Sequence, residues 1–189
     1  MIEWVKRTSA SHPNKNLWLW FQDEARFGMQ GTVTRIWAQT GTRPRTICQR
    51  DFEWTYLYGS VEPFTGRVHG CRLPEVSTVA MNSYLTDFSK QLPDNEHALM
   101  VLDGAAWHKA GKLKIPKNVT LLVQPPYSPE LNPMELVWGN GKRNYFCNRN
   151  FETIEEVEHA VDKLWMKQTQ CTESMKLLCG FEWILTALI

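Results

Sequence analysis

The chain has 189 residues, 43% hydrophobic and 22% charged, which fits one sizeable folded domain and excludes a disordered polymer. Its formal net charge is +1, so overall charge singles out no class of partner. The five cysteines are odd in number and show no Cys-x-x-Cys spacing, which points to a reduced, intracellular protein rather than a disulfide framework or a zinc site. The first residues lack a signal-peptide pattern, and the apolar run Trp183–Ile189 is too short to span a bilayer. A cytoplasmic protein without a membrane partner is expected.

Residues 1–16 are polar and read as an irregular lead-in. Leu17–Gln22 is bulky and aromatic, a buried strand ending at Asp23, and Val33–Ala38 reads as a second strand after a glycine turn. Gly41–Arg45 forms a basic loop. Trp54–Val61 and Arg67–Arg72 flank Glu62–Gly66, a strand hairpin. Ser77–Gln91 follows as a helix with Val79, Ala80, Tyr84, Leu85 and Phe88 on its apolar face, ended by Pro93. Ala98–Leu102 has no alternation and reads as a strand buried on both faces. Trp107–Leu113 is at most a short helical turn, and Val119–Val123 is another buried strand. Asn132 is a good N-cap with Pro133 at the first helical position, and Glu135 stands where a capping-box glutamate belongs. The interior glycines of Gly139-Asn140-Gly141, each costing about 1 kcal/mol, predict a kink or early end in that helix. Thr153 and Glu156 cap a last amphipathic helix, with Ile154, Val157, Val161, Leu164 and Trp165 on its buried face. The order predicts an α/β fold built on a mixed sheet flanked by helices.

Three acidic residues stand out against this frame. Asp23 and Asp103 each close an apolar strand, and Glu135 opens a helix. In such sheets functional groups gather beyond the carboxyl ends of strands. An all-carboxylate set suits magnesium, and two such ions can clamp the entering and leaving oxygens of an in-line displacement at phosphorus. Ordinary readings stand beside this one: Asp103 as a polar strand terminus, Glu135 as a capping residue. Glu24 is a second candidate ligand beside Asp23, although strand alternation turns it to the opposite face. Charge adds a further sign. Residues 104–150 hold 7 basic and 2 acidic side chains, either a seat for a polyanion or a solvated basic face.

The three blocks that carry these acids resemble the signature blocks of DDE transposases, specifically the bacterial insertion-sequence branch of the mariner superfamily. They are Gln22-Asp23-Glu24-Ala25-Arg26-Phe27-Gly28, Leu102-Asp103-Gly104-Ala105-Ala106-Trp107-His108-Lys109, and Pro125-Pro126-Tyr127-Ser128-Pro129-Glu130-Leu131-Asn132-Pro133-Met134-Glu135-Leu136-Val137-Trp138. The resemblance, which runs from about Leu17 to Val161, implies a ribonuclease-H-like catalytic domain, placed at residues 17–170; the apolar tail 171–189 is expected to pack on it, its Phe181–Ile189 end on the sheet or in a subunit contact. It implies Asp23, Asp103 and Glu135 as catalytic metal ligands, two Mg2+ or Mn2+ ions per site, and cleavage and strand transfer of DNA, typically at TA dinucleotides. Transposon ends and target DNA are the implied partners, with a possible homo-oligomer. The chain departs from the family in spacing, because the interval between Asp103 and Glu135 is slightly shorter than usual. Only the short lead-in precedes the first strand, so a helix-turn-helix half on another chain or reading frame is expected.

Arg43, Arg45, His108, Lys109, Lys112, Lys142 and Arg143 are candidate DNA contacts. His108 is equally readable as an ordinary helix-surface histidine. Trp107 and Trp138 flank the acidic blocks and are expected to support the site by packing. A ribonuclease-H-like hydrolase acting on RNA or branched DNA, and a non-catalytic remnant that binds DNA or a partner, remain as alternative functions.

Overall fold

A computed structural model describes residues 2–30, 34–42, 44–45, 51–105 and 112–186. Strands β1 (Asn16–Gly28), β2 (Trp54–Glu62) and β3 (Arg67–Leu73) form an antiparallel meander, and β4 (Glu96–Leu102) and β5 (Val119–Val123) extend it in parallel. The strand order is β3-β2-β1-β4-β5. Helix α1 (Ile2–Ser11) precedes the sheet, α2 (Thr78–Gln91) links β3 to β4, and α3 (Met134–Tyr145), α4 (Ile154–Gln170), α5 (Thr172–Cys179) and α6 (Glu182–Leu185) follow β5. Among the described residues no helix is long and apolar enough to cross a membrane.

Strand alternation creates two cores. Leu19, Phe21, Ala25 and Phe27 of β1 join Leu99 and Val101 against α3, α4, α5 and α6. Trp20 joins Ala98, Met100 and Leu102 against Ala80, Met81, Tyr84, Leu85 and Phe88 of α2. Val79, expected on that apolar face, is 73% exposed, and Met81 takes its place. The Ser77 hydroxyl caps α2 by accepting from Ala80 N at 3.1 Å.

Several expectations require correction. The lead-in folds into α1, which buries Val5 and Thr8. β1 does not stop at Asp23; it continues to Gly28 because β2 pairs with it along that whole extension. Residues Thr34–Ala38 are irregular rather than a strand, with Ile36 60% exposed, and the expected start at Val33 lies outside the described residues. β5 is an edge strand in which only Val119 is buried. Trp107 and the residues up to Gly111 lie outside the described residues.

Helix α3 runs unbroken through Gly139 and Gly141. A Cβ at Gly141 would stand 2.5 Å from Leu164 Cδ1 of α4, and Leu164 is fully buried. The glycine therefore allows the two helices to pack closely, and that packing offsets its poor propensity. Gly59 does the same for the sheet: a Cβ there would meet Trp138 Cη2 at 2.5 Å. Gly141→Ala is expected to destabilise the fold by about 1–3 kcal/mol through overpacking. Gly139→Ala, whose Cβ meets nothing closer than Arg143 Nη1 at 3.4 Å, should stabilise by up to about 1 kcal/mol. Thermal melts of the two variants would show the opposite signs.

Within the 171–189 stretch, α5 and α6 bury Met175, Cys179 and Ile184 in the larger core, and residues 187–189 lie outside the described residues.

Candidate active site

The parallel register between β1 and β4 ends with Phe21 opposite Val101. Asp23 and Asp103 each lie two residues beyond that pair, on the face that Phe21 and Val101 share. Asp23 is inside a continuing strand, whereas Asp103 directly follows the last residue of β4. Glu135 belongs to the first turn of α3, which packs on the same face. All three side chains line one open cavity of about 350 Å³, walled by Gly104, Ala105 and the loop from Gln124 to Pro129.

Two side chains hold the acids in place. Buried Asn132 donates from Nδ2 to the Gln22 carbonyl at 3.0 Å and accepts at Oδ1 from Met134 N at 3.1 Å. It thus ties the start of α3 to the β1 residue preceding Asp23. Pro133, expected at the first helical position, takes the cap position instead, immediately before Met134. The expected capping box does not form, because the Asn132 N–H donates to the Pro129 carbonyl at 2.9 Å. The Glu135 side chain is exposed at the cavity instead. Trp138 is the second support. It is 3% exposed, packs over Gly59, and donates from Nε1 to Asp23 Oδ2 at 2.9 Å. Its expected supporting role holds, with a hydrogen bond that packing arguments did not foresee.

Burial pushes the Asp23 pKa up to about 7, and the charges of Glu24 and Glu135 push in the same direction. The Trp138 hydrogen bond opposes them. Glu24 faces the other side of the sheet, as alternation predicts, where Gln22 Nε2 donates to it at 3.2 Å. Asp103 is exposed and accepts from Ala105 N at 2.9 Å. Among the described residues no three His, Cys, Asp or Glu side chains are gathered closely enough to hold one ion. The donor chemistry still fits a hard divalent cation. The three acids offer only oxygen, and a cation in the cavity would offset the burial and the repulsion that raise the Asp23 pKa. On the cavity rim, Tyr127 has φ +58° and a fully exposed ring. That backbone conformation costs a non-glycine residue roughly 1–2 kcal/mol.

The basic candidates separate. Lys142 lines a notch beside Phe27 at the far end of α3, while Arg143 in the same turn is exposed. Arg45 and Lys112 are exposed and line neither the notch nor the acidic cavity. Arg43, His108 and Lys109 lie outside the described residues. Arg26 and Arg149, not among the sequence candidates, also line the notch. Their signals were present in the sequence: Arg26 lies inside the first acidic block and Arg149 inside the positively charged 104–150 stretch.

Residues 18–158, which include all three acids, match the family model described as DDE superfamily endonuclease. The chain belongs to that family. Among related proteins, the uncharacterized protein y4pE/y4sA of Sinorhizobium fredii is 40% identical over 114 residues, covering 60% of this chain and 84% of that protein. The IS630 insertion-element uncharacterized 39 kDa protein of Shigella sonnei is 23% identical over 162 residues, 82% of this chain and 46% of the relative. The Mos1 mariner paired-end complex with Mn shares the fold, with TM-score 0.62 and 13% identity over 95% of this chain and 59% of that one. The Mos1 strand transfer complex gives TM-score 0.58 at 16% identity, covering 95% of this chain and 57% of that one. The DDE chain thus has the ribonuclease-H-like mixed sheet expected from its sequence. It spans about half the length of the insertion-element relative and under two thirds of the Mos1 chains.

Proposed function

We propose that this DDE-family chain is the catalytic domain of a transposase that cuts DNA and joins the cut end to a target strand. The observation that carries the reading is the convergence of Asp23, Asp103 and Glu135 on one cavity, from three widely separated segments of the chain. These residues would hold two Mg2+ or Mn2+ ions, in keeping with related Mos1 structures described as complexes with Mn and with Mg. When bound, the ions would supply charge stabilisation to the entering and leaving oxygens of the phosphodiester. The chain's own part is placement: Trp138 aims the Asp23 carboxylate, and Asn132 sets Glu135 against it.

The substrates are transposon ends and target DNA, a reading supported by fold neighbours described as a Mos1 paired end complex and a Mos1 strand transfer complex. A helix-turn-helix portion on another chain or frame would select the ends. A homo-oligomer and a cytoplasmic, nucleoid-associated location belong to the same reading.

Incubating the purified chain with supercoiled plasmid and Mg2+ or Mn2+ should yield nicked circles. Asp103→Asn and Glu135→Gln should each slow nicking by about 10²–10⁴-fold, because ion-mediated stabilisation supplies several kcal/mol. Undiminished nicking by either variant would remove that residue from the mechanism. Preferential cutting of RNA–DNA hybrids in a parallel assay would reassign the substrate.

A further inference from the structure

Among the described residues, β1 pairs past Phe21 and Val101 with β2 alone, so one edge of β1 from Gln22 to Gly28 is not paired with β4. That edge leads away from the acidic cavity. At its far end is a notch of about 160 Å³ between the ends of β1 and α3, lined by Arg26, Phe27, Trp54, Lys142 and Arg149 among others.

Three observations give this notch a ligand chemistry. First, it is lined by three cationic side chains and by no acidic one. Among the described residues none of Arg26, Lys142 and Arg149 enters an ion pair. Second, two of the cations are oriented by aromatic rings, which leaves their charge uncompensated. The Arg26 guanidinium lies 4.4 Å from the Trp54 ring centroid, and Lys142 Nζ lies 5.6 Å from that of Phe27. The backbone leading to Arg149 is anchored as well: Cys147 N donates to the Lys142 carbonyl at 3.0 Å, and Asn148 Oδ1 accepts from Thr34 N at 3.1 Å. Third, the notch lies in line with the acids. Asp23 and Phe27 share a face of β1 four residues apart, about 13 Å at 3.3 Å per residue. Glu135 and Lys142 share a face of α3 seven residues apart, about 10.5 Å at 1.5 Å per residue. Strand and helix thus carry an acid at one end and the notch at the other, over similar spans.

We infer that this notch grips a backbone phosphate of the DNA strand whose reacting phosphodiester occupies the acidic cavity, about two nucleotides away along the strand. The inference rests on the transposase reading and adds a position and a path to it: the strand runs along the edge of β1 not paired with β4, from cavity to notch. The occupant is an anion without base identity, because the notch offers charge and aromatic faces and is too small for a base pair. Sequence-independent grip of this kind aligns a strand for reaction at a fixed distance.

The test uses the whole chain and a short duplex oligonucleotide containing one cut site. Lys142→Gln and Arg149→Gln should each weaken binding about tenfold, the effect of losing one charged hydrogen bond. The double variant should lower the slope of log K against log salt by about 0.9, one phosphate contact. Replacing the phosphate about two nucleotides from the cut by a neutral methylphosphonate should weaken wild-type binding to the same degree and add no further loss in the double variant. Arg149→Lys should retain most of the affinity, and Lys167→Gln, an exposed change outside the notch, should leave it unaltered. Melting curves identify any variant that fails to fold; the methylphosphonate series on wild-type protein then decides alone. Wild-type affinity and salt slope in a folded double variant overturn the inference, as does equal sensitivity to a neutral phosphate at every position. If the wild-type chain nicks plasmid while the notch variants match it in binding, only this inference falls. If the wild type neither binds nor nicks DNA, the transposase reading falls with it.

Discussion

Asp23→Asn should abolish divalent-dependent nicking and, at the same time, raise the melting temperature of the metal-free protein above pH 7. In the fold, burial, Glu24 and Glu135 lift the Asp23 pKa to about 7, while in the unfolded chain it ionises at about 3.9. Below about pH 4 both states hold the proton, and the carboxyl group does not oppose folding. Between about pH 4 and 7 the folded state keeps a proton that the unfolded state has released, so stability falls as pH rises, by up to about 1.4 kcal/mol per unit. Above pH 7 the whole penalty is in force. Asparagine carries no charge and still offers an oxygen to the Trp138 N–H, so it removes the penalty without disturbing the support. Because Asp23 is only half-buried, solvent screens part of the effect. A gain on the order of 2 kcal/mol, or roughly 4–8 °C, is expected at pH 8. Melts in EDTA at pH 4 and pH 8, for wild type and variant, measure it. The gain should be confined to the higher pH, and adding Mg2+ should stabilise the wild type more than the variant. A pH-independent difference would mean that the Asp23 carboxylate does not oppose folding.

Arg67→Ala should cost more stability than either glycine substitution in α3. Arg67 opens β3 and donates from Nη1 to both oxygens of Glu96, at 2.9 and 3.2 Å, with its Nε 3.9 Å from Glu62 Oε2. Its guanidinium also lies over the rings of Trp18 and Trp20, 4.7 and 5.4 Å from their centroids. Glu62 is fully buried and already accepts from Phe64 N at 2.7 Å, Thr65 N at 3.0 Å and the Thr65 hydroxyl. Removing the cation leaves two carboxylates near each other without their shared counter-charge. Breaking a buried pair in this way costs about 3–5 kcal/mol. The guanidinium is one third exposed, so the lower end applies: about 3 kcal/mol, or a drop of roughly 6–12 °C. Arg67→Lys restores charge without the planar stacking and should fall between. Combining Arg67→Ala with Glu96→Gln should recover part of the loss, because it removes one of the stranded charges. A melting temperature within about 2 °C of wild type for Arg67→Ala would show that solvent and the neighbouring N–H groups suffice to hold both acids.

Much of the site is legible before folding. The unbroken apolar run ending in Asp103 is a local pattern, and β4 ends at Leu102 as it implies; Asn132 and Pro133 mark the start of α3 to within one residue. The departures depend on partners remote in the chain. The length of β1 is set by β2, which begins only at Trp54, and not by the change from apolar to acidic residues at Asp23. The stretch expected as a strand at Val33–Ala38 has the right composition and, over its described part, pairs with no strand. Helix α3 survives its glycines because Leu164 needs the space of one of them. The capping box at Glu135 fails because the 3₁₀ turn Pro129–Leu131 supplies a nearer acceptor for the Asn132 N–H.

Side-chain type and order were enough to determine the family and the α/β class and to single out three acids that line one cavity, because those are properties of short segments and their sequence along the chain. Only tertiary structure decided that Trp138 bonds to Asp23, that Asn132 links α3 to β1, and that Arg26, Lys142 and Arg149 share one notch. Each of these joins segments whose separation in sequence carries no information about distance in space. The closing of those separations is governed by sheet register and helix packing, which emerge when the whole hydrophobic core assembles.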